Sequence, residues 1–272
     1  MTWLFYYCIH AFLWCIGEGY KQQRIYQAEI VKHSDFTFMV AIYGREWGSG
    51  EIIGMCSGSL LGPRRVLTAA HCCSEFDFYT VKTFDEAITG DDMIIHPSYA
   101  SEKSASPDLC LLFLPYDTQS STFAVISDSL ALPSSNYTIL GFGWNGDEGL
   151  AGPNLGKADL QTTTKQTCNE MTQGPWEKVL CTTGKQSGAN ACSGDSGGPL
   201  GRAENNIFVV VGLVSYGFSW SCKVDPHTAY VAVPTFRQWI TETSTGGRDA
   251  YPWLPLYILF FVLHVEHECL II

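Results

Sequence analysis

The sequence predicts an all-β fold, on three observations. From residue 36 to about 233 the chain runs in short segments rich in β-branched and aromatic residues, separated by Gly, Pro, Asn and Asp. Helical periodicity is confined to two short stretches, and 272 residues with 46% hydrophobic and 13% aromatic content can bury a large core. In order, the strand segments are Phe38 to Tyr43, Arg65 to Thr68, Leu109 to Leu114, Thr138 to Phe142 and Ile207 to Ser215. Each is of strand length and bounded by turn residues. Lys165 to Met171 has the spacing of a short helix. Pro234-Thr235-Phe236-Arg237-Gln238-Trp239-Ile240 begins on a proline, which suits a first helical turn because the missing N–H has no partner there anyway. No internal repeat or low-complexity stretch is present.

A net charge of −11 with no Lys/Arg run excludes a nucleic-acid partner, which needs a clustered cationic surface. Eleven cysteines fit an oxidising compartment. Met1 to Ile16 is almost wholly apolar, and small residues at Cys15 and Gly17 suit a signal-peptidase site, so residues 1–17 read as a signal peptide. The missing basic start and His10 keep a buried N-terminal helix open as the other reading; the run is short of the roughly 20 residues a membrane span needs.

The chemistry concentrates in Asn190-Ala191-Cys192-Ser193-Gly194-Asp195-Ser196-Gly197-Gly198-Pro199, a serine on a glycine-flanked loop. A serine hydroxyl is a weak nucleophile at neutral pH and needs a base, which in turn needs an orienting group. Leu67-Thr68-Ala69-Ala70-His71-Cys72 offers the base and Pro107-Asp108-Leu109-Cys110-Leu111-Leu112 the orienting carboxylate. A lone His or Asp beside a strand is usually structural, and a lone Gly-Asp-Ser-Gly is usually a turn. Three motifs in the order His, Asp, Ser, each with these neighbours, are not explained that way. The order differs from that of subtilisin-like and α/β-hydrolase enzymes.

These segments resemble the chymotrypsin-like (trypsin-like) secreted serine proteases over about residues 25–243. The resemblance implies two six-stranded antiparallel β-barrels packed together, with a short C-terminal helix and His71, Asp108 and Ser196 in the cleft between the barrels. It implies an oxyanion hole from the N–H groups of Gly194 and Ser196. It places a specificity pocket along Asn190, Ser193, Ser215, Tyr216 and Gly217. Asn190 stands where trypsin-like members carry Asp, so a buried basic side chain would meet no opposite charge and uncharged or apolar P1 residues are expected. Large apolar P1 residues rank first and small ones second, with His227 or Thr228 at a narrowing wall. Polypeptide substrates, an activating protease and protein protease inhibitors are the implied partners, with no cofactor. In the family, cleavage after a basic residue frees an Ile or Val amine that pairs with the Asp before the nucleophile. Here that implies residues 18–24 as activation peptide, Arg24 as the cleavage site and Ile25 as the partner of Asp195. Ile30-Val31 is the competing start.

Disulfides implied by the resemblance are Cys56–Cys72, Cys168–Cys181 and Cys192–Cys222. Cys8 and Cys15 leave with the leader and Cys269 with the tail, so Cys73 and Cys110 remain over. They stand two residues beyond His71 and Asp108, which makes them neighbours if the triad forms; a bridge and two buried thiols both stay open. The segment after His71 is shorter than in calcium-binding members, and Glu75, Asp77, Asp91 and Asp92 lack the spacing of an oxygen-ligand loop, so no metal is expected. Asn136-Tyr137-Thr138 is a glycosylation sequon. The tail, residues 244–272, is polar and then apolar from Tyr251 to Val265, unlike the family. Membrane attachment through it and a cleaved or surface-packed tail both remain open, the acidic Glu266 and Glu268 breaking a lipid-anchor pattern. The expected product is a secreted zymogen of a serine endopeptidase; the alternative is a catalytically silent homologue that binds other molecules or a membrane.

Overall fold

In the computed structural model, which describes residues 25–101, 105–143, 154–184, 188–219, 222 and 225–245, the β-rich runs form two sheets. The first contains β2 (Met39–Arg45), β3 (Ile52–Gly62), β4 (Arg65–Thr68), β5 (Phe78–Lys82), β6 (Ala87–Gly90), β7 (Met93–Ile95) and β8 (Cys110–Phe113), in the order β6-β5-β2-β3-β4-β8-β7. The second contains β1 (Glu29–Val31), β9 (Val125–Ile126), β10 (Asn136–Gly141), β11 (Leu155–Thr162), β12 (Val179–Thr183), β13 (Pro199–Glu204), β14 (Ile207–Gly217) and β15 (His227–Ala232). Here β11-β10-β13-β14-β15-β12 closes back onto β11, an antiparallel ring of six strands. Strand β1 adds to β11, and the two-residue β9 runs parallel to β14. Closure leaves few free edges, and the twist it demands is taken up at two bulges in β14, one facing β13 and one facing β15.

The expected strands are all present, with ends moved by up to two residues. The eleven-residue β3 has no counterpart among the sequence-predicted strands, because Gly54, Ser57, Gly58 and Ser59 make it look like a turn. Its glycines serve packing. Gly44 and Gly54 stand opposite each other on β2 and β3, and a Cβ on Gly44 would lie 1.9 Å from the Phe76 ring. The pair forms a slot for Phe76, which caps the end of a short helix, α1 (Ala70–Glu75). That helix has no side-chain N-cap and is far too short to persist alone. Two disulfides hold it instead: Cys56–Cys72 ties it to β3 and Cys73–Cys110 ties it to β8. The second is the bridge left open above, its Cα atoms 6.5 Å apart and within disulfide range.

The helix expected at 165–171 is α2 (Lys165–Thr172), where the Thr164 hydroxyl accepts from the Thr167 N–H at 3.1 Å. Gln173 in the left-handed region ends it, and Cys168–Cys181 fastens it to β12. The closing helix begins later than expected. Pro234 stands in a 3₁₀ turn, Val233–Phe236, and α3 follows as Arg237–Thr245. The body that carries both sheets ends at Arg237. The stretches expected as signal peptide and activation peptide, with Arg24, and the tail beyond residue 245 lie outside the described residues.

Two buried cores result. Ile42, Leu60, Val66, Leu67, Val81, Ile88 and Leu111 fill the first sheet, while Ile139, Leu160, Trp176, Leu180, Leu200 and Tyr230 fill the second. Trp176 donates its indole N–H to the Ala131 carbonyl at 3.2 Å, so the largest buried side chain leaves no unpaired donor.

Titration of the unfolded, unreduced 25–243 chain is expected to find no free thiol among its eight cysteines; two thiols contradict the Cys73–Cys110 bridge. Replacing both residues by Ala opens a 37-residue loop and is expected to lower unfolding free energy by roughly 3–4 kcal/mol in urea melts.

Candidate active site

Helix α1 carries His71 directly before Cys72 and Cys73, so the imidazole stands next to two covalent anchors. Asp108 lies just before β8, with only 6% of its surface exposed. Its Oδ1 accepts the His71 backbone N–H at 2.9 Å, and its Oδ2 lies 2.8 Å from His71 Nδ1. The Ser215 hydroxyl on β14 donates to the same Oδ2 at 2.6 Å. Burial alone would push the Asp108 carboxyl up. Bonds from the His71 ring, its charge, the Ser215 hydroxyl and the His71 N–H together hold it below its ordinary value. Burial pushes the His71 imidazole down, but the bond and charge of Asp108, with help from Glu75, raise it above 6.5. The carboxylate fixes the ring with Nδ1–H toward Asp108, which leaves Nε2 as the free nitrogen.

The loop bearing Ser196 runs from Asn190 into β13. Gly194 and Gly197 take φ of +86° and +77°, a region that penalises any side chain. Space excludes one as well: a Cβ on Gly197 would lie 2.2 Å from Thr68 Oγ1 and 2.5 Å from the Ser57 carbonyl. This close approach seats the second barrel's loop on the chain that leads from β4 into His71. The Gly197 N–H donates to Val214 O and the Val214 N–H to Gly198 O, both at 2.9 Å. The Ser57 N–H donates to Ser196 O at 2.8 Å, and the Ser57 hydroxyl to Gly194 O at 2.9 Å. Cys192–Cys222 holds the near end.

Asp195 is fully buried, and its Oδ2 accepts the Cys192 N–H at 2.9 Å. Ile25, the first described residue, is 2% exposed and belongs to the second core. Tyr26 exchanges backbone bonds with Asn190, at 2.7 and 3.2 Å. Ile30, the competing start, is half exposed on β1.

A cavity of about 480 Å³ opens beside Ser196 and includes all five expected pocket residues: Asn190, Ser193, Ser215, Tyr216 and Gly217. At its base the Asn190 amide donates to Asp225 O at 2.7 Å and, at the 3.5 Å limit, to Cys222 O. Its Oδ1 accepts the Thr228 hydroxyl at 2.5 Å. Thr228, and not His227, lines the cavity, which resolves the one-residue ambiguity of the sequence. The His227 ring instead bonds the Asp225 carboxylate at 2.7 Å. A Cβ on Gly217 would meet nothing nearer than Ser219 O at 3.7 Å, so the cavity wall is open there. Asn136 of the sequon is exposed on β10.

Sequence reasoning missed Ser57 and the Thr228–Asn190 bond. Their partners lie 137 and 38 residues away, and no local pattern signals such contacts. Among the described residues, one group of metal-ligating side chains gathers its ligand atoms within 4.8 Å: Cys56, His71 and Cys72. Its two sulfurs are bonded to each other, so neither can act as a thiolate ligand.

Comparison with known proteins follows this geometry. The trypsin family model matches residues 25–240. Among solved structures, HL collagenase superposes with a TM-score of 0.68 at 18% identity, over 81% of this chain and 98% of its own. Granzyme C superposes with a TM-score of 0.65 at 24% identity, over 80% of this chain and 97% of its own.

The His71–Asp108 pair has a defined pH signature. Protonated His71 is favoured in the folded state, so its stabilising contribution is full below 6.5 and is lost as pH rises through the higher folded value. NMR titration of the imidazole is expected to give a midpoint above 6.5, and Asp108→Asn is expected to move it downward. A midpoint unmoved by the substitution contradicts the coupling.

Proposed function

The chain belongs to the trypsin family, and on that premise we propose that it is a secreted serine endopeptidase, made as a zymogen and working through His71, Asp108 and Ser196. The observation that carries this reading is the buried Asp108 carboxylate bonded to His71 Nδ1. That bond fixes the tautomer in which Nε2 is a base, and its partial negative environment stabilises the imidazolium that forms when the base takes a proton.

In the proposed cycle the Ser196 hydroxyl attacks a peptide carbonyl carbon and passes its proton to His71 Nε2. The C–N bond then breaks as that proton moves to the leaving amine, and an acyl-Ser196 ester remains. Water, deprotonated by His71, attacks the ester; the bond from the acyl carbon to Ser196 Oγ breaks, the peptide acid leaves, and the proton on His71 returns to Oγ. Negative charge on the carbonyl oxygen is met by the N–H groups of Gly194 and Ser196. Each such donor contributes about 2.7–4 kcal/mol because it is oriented before the charge develops. The left-handed turn at Gly194 supports this role, since it lets successive N–H groups converge on one point.

Activation by cleavage after Arg24 is supported by the neighbourhood of Ile25. Its side chain is in the core and its following residue pairs with Asn190, whereas Ile30 lies on an exposed strand. The new α-amino group would pair with the buried Asp195 carboxylate. Four disulfides support an extracellular site of action. No helix among the described residues is long and apolar enough to cross a membrane.

The pocket supports an uncharged P1 side chain. Asn190 is neutral; its amide N–H groups are directed at Asp225 O and Cys222 O and its oxygen accepts the Thr228 hydroxyl. The Asp225 carboxylate is bonded to His227. Asp225 is the one carboxylate among the described residues that line the cavity, and its Oδ1 is already engaged by the His227 N–H and ring, so a lysine or arginine at P1 would have to compete with His227 for its counter-charge, at a cost of several kcal/mol.

After cleavage by an activating protease, N-terminal sequencing is expected to read Ile25-Tyr26-Gln27; Ile30 as first residue refutes the assignment. A fluorophosphonate probe is expected to label Ser196 of the activated protein, and Ser196→Ala to abolish both labelling and peptide turnover. An activated, folded protein that resists the probe is instead a silent homologue. On a peptide library, kcat/KM for Phe or Leu at P1 is expected to exceed that for Lys or Arg by about 100-fold or more, the equivalent of the several kcal/mol an unpaired cation costs. A preference for basic P1 residues contradicts the pocket reading.

A further inference from the structure

Ser57 stands on β3 of the first barrel, yet its polar atoms are directed at the nucleophile loop of the second. It is fully buried. Its hydroxyl donates to the Gly194 carbonyl at 2.9 Å and accepts the Phe142 N–H at 3.0 Å. Its backbone N–H donates to the Ser196 carbonyl at 2.8 Å, and its own carbonyl accepts the Thr68 hydroxyl at 2.9 Å. One residue thus grips the loop on both sides of Asp195.

The two grips differ in kind. The bond to Ser196 comes from the main chain and any residue at 57 supplies it. The bond to Gly194 comes from the side chain and needs a hydroxyl. Gly194 is the residue that needs an external restraint, because at φ +86° it has no side chain to limit its rotation. Holding its carbonyl fixes the Gly194–Asp195 peptide plane and so restricts the torsions that aim the Gly194 N–H. The Ser57 hydroxyl is itself fixed, since the Phe142 N–H occupies one of its lone pairs and leaves its proton directed at Gly194.

We infer that Ser57 is a positioning residue for the oxyanion site, whose hydroxyl holds the Gly194 peptide in the orientation that stabilises the transition state. The inference rests on the protease reading above and adds a residue to it that touches neither substrate nor reacting atoms. Its effect falls on transition-state stabilisation and leaves ground-state binding alone, because the substrate pocket is built from other residues.

The test uses activated full-length protein, Ser57→Ala and Ser57→Gly, with rates expressed per fluorophosphonate-titrated site so that misfolded material is not counted. The substrate is a peptide nitroanilide with Phe at P1, and a peptidyl boronic acid serves as the tetrahedral mimic. Both variants are expected to lose kcat by about tenfold, less than the loss of a whole oxyanion donor, with KM unchanged and the boronate inhibition constant raised by the same factor. A native near-UV spectrum with no Ser196 labelling is the stronger form of the same result. Unchanged kcat, a change in KM alone, or failure of both variants to fold overturns the inference and leaves Ser57 a packing residue. If the unsubstituted activated protein is not labelled at Ser196, the protease reading itself fails, a result distinct from normal labelling with an indifferent Ser57.

Discussion

The buried carboxylate of Asp108 is the constraint around which the site is organised. An ionised group with 6% exposure must recover its lost hydration from fixed donors, and it has three: the His71 N–H, the His71 ring and the Ser215 hydroxyl. Two of those come from the first sheet's helix and the third from the second barrel's longest strand. The charge is therefore satisfied only when both halves of the body are folded and docked. Helix α1 has little stability of its own, and the Cys56–Cys72 and Cys73–Cys110 bridges with Phe76 supply the rigidity that a precise hydrogen-bond geometry requires.

The loop bearing Ser196 answers the same demand by other means. It has almost no regular structure, and its order comes from backbone contacts to Val214, Ser57 and the Thr68–Ala69 segment. Glycines at 197 and 198 are what let the chain come that close: a Cβ at Gly198 would lie 2.5 Å from the Leu140 carbonyl. Covalent anchors at His71 and close backbone packing at Ser196 give two fixed surfaces, while the cavity beside Ser196 is lined, among the described residues, only by residues from 190 to 228. In the cavity, Asn190 and Thr228 are paired with each other, which is what the proposed preference for uncharged side chains rests on.

Much of this was legible in the chain. Short β-rich runs separated by turn residues gave the all-β class, and three motifs in a fixed order gave the family and the residues now proposed to act. Both signals are local: a strand's period and a tight turn's glycines are dictated by neighbouring residues, so they survive in the sequence. Strand β3 was obscured because Gly54 serves a slot for Phe76 and Gly58 a close approach to Ile42 and Val66, contacts that only the folded sheet contains.

What the sequence determined by itself was therefore the chemistry-bearing residue types and the strand-forming stretches. What only the tertiary structure decided were the relations across distance. The Cys73–Cys110 bridge needed a Cα separation, 6.5 Å, that spacing along the chain does not encode. Thr228 rather than His227 faces the cavity because strand register, paired here with β12 and β14, sets which side chain points inward. The Ser57 hydroxyl reaches Gly194 across 137 residues, since buried polar groups find their partners in space and not in sequence.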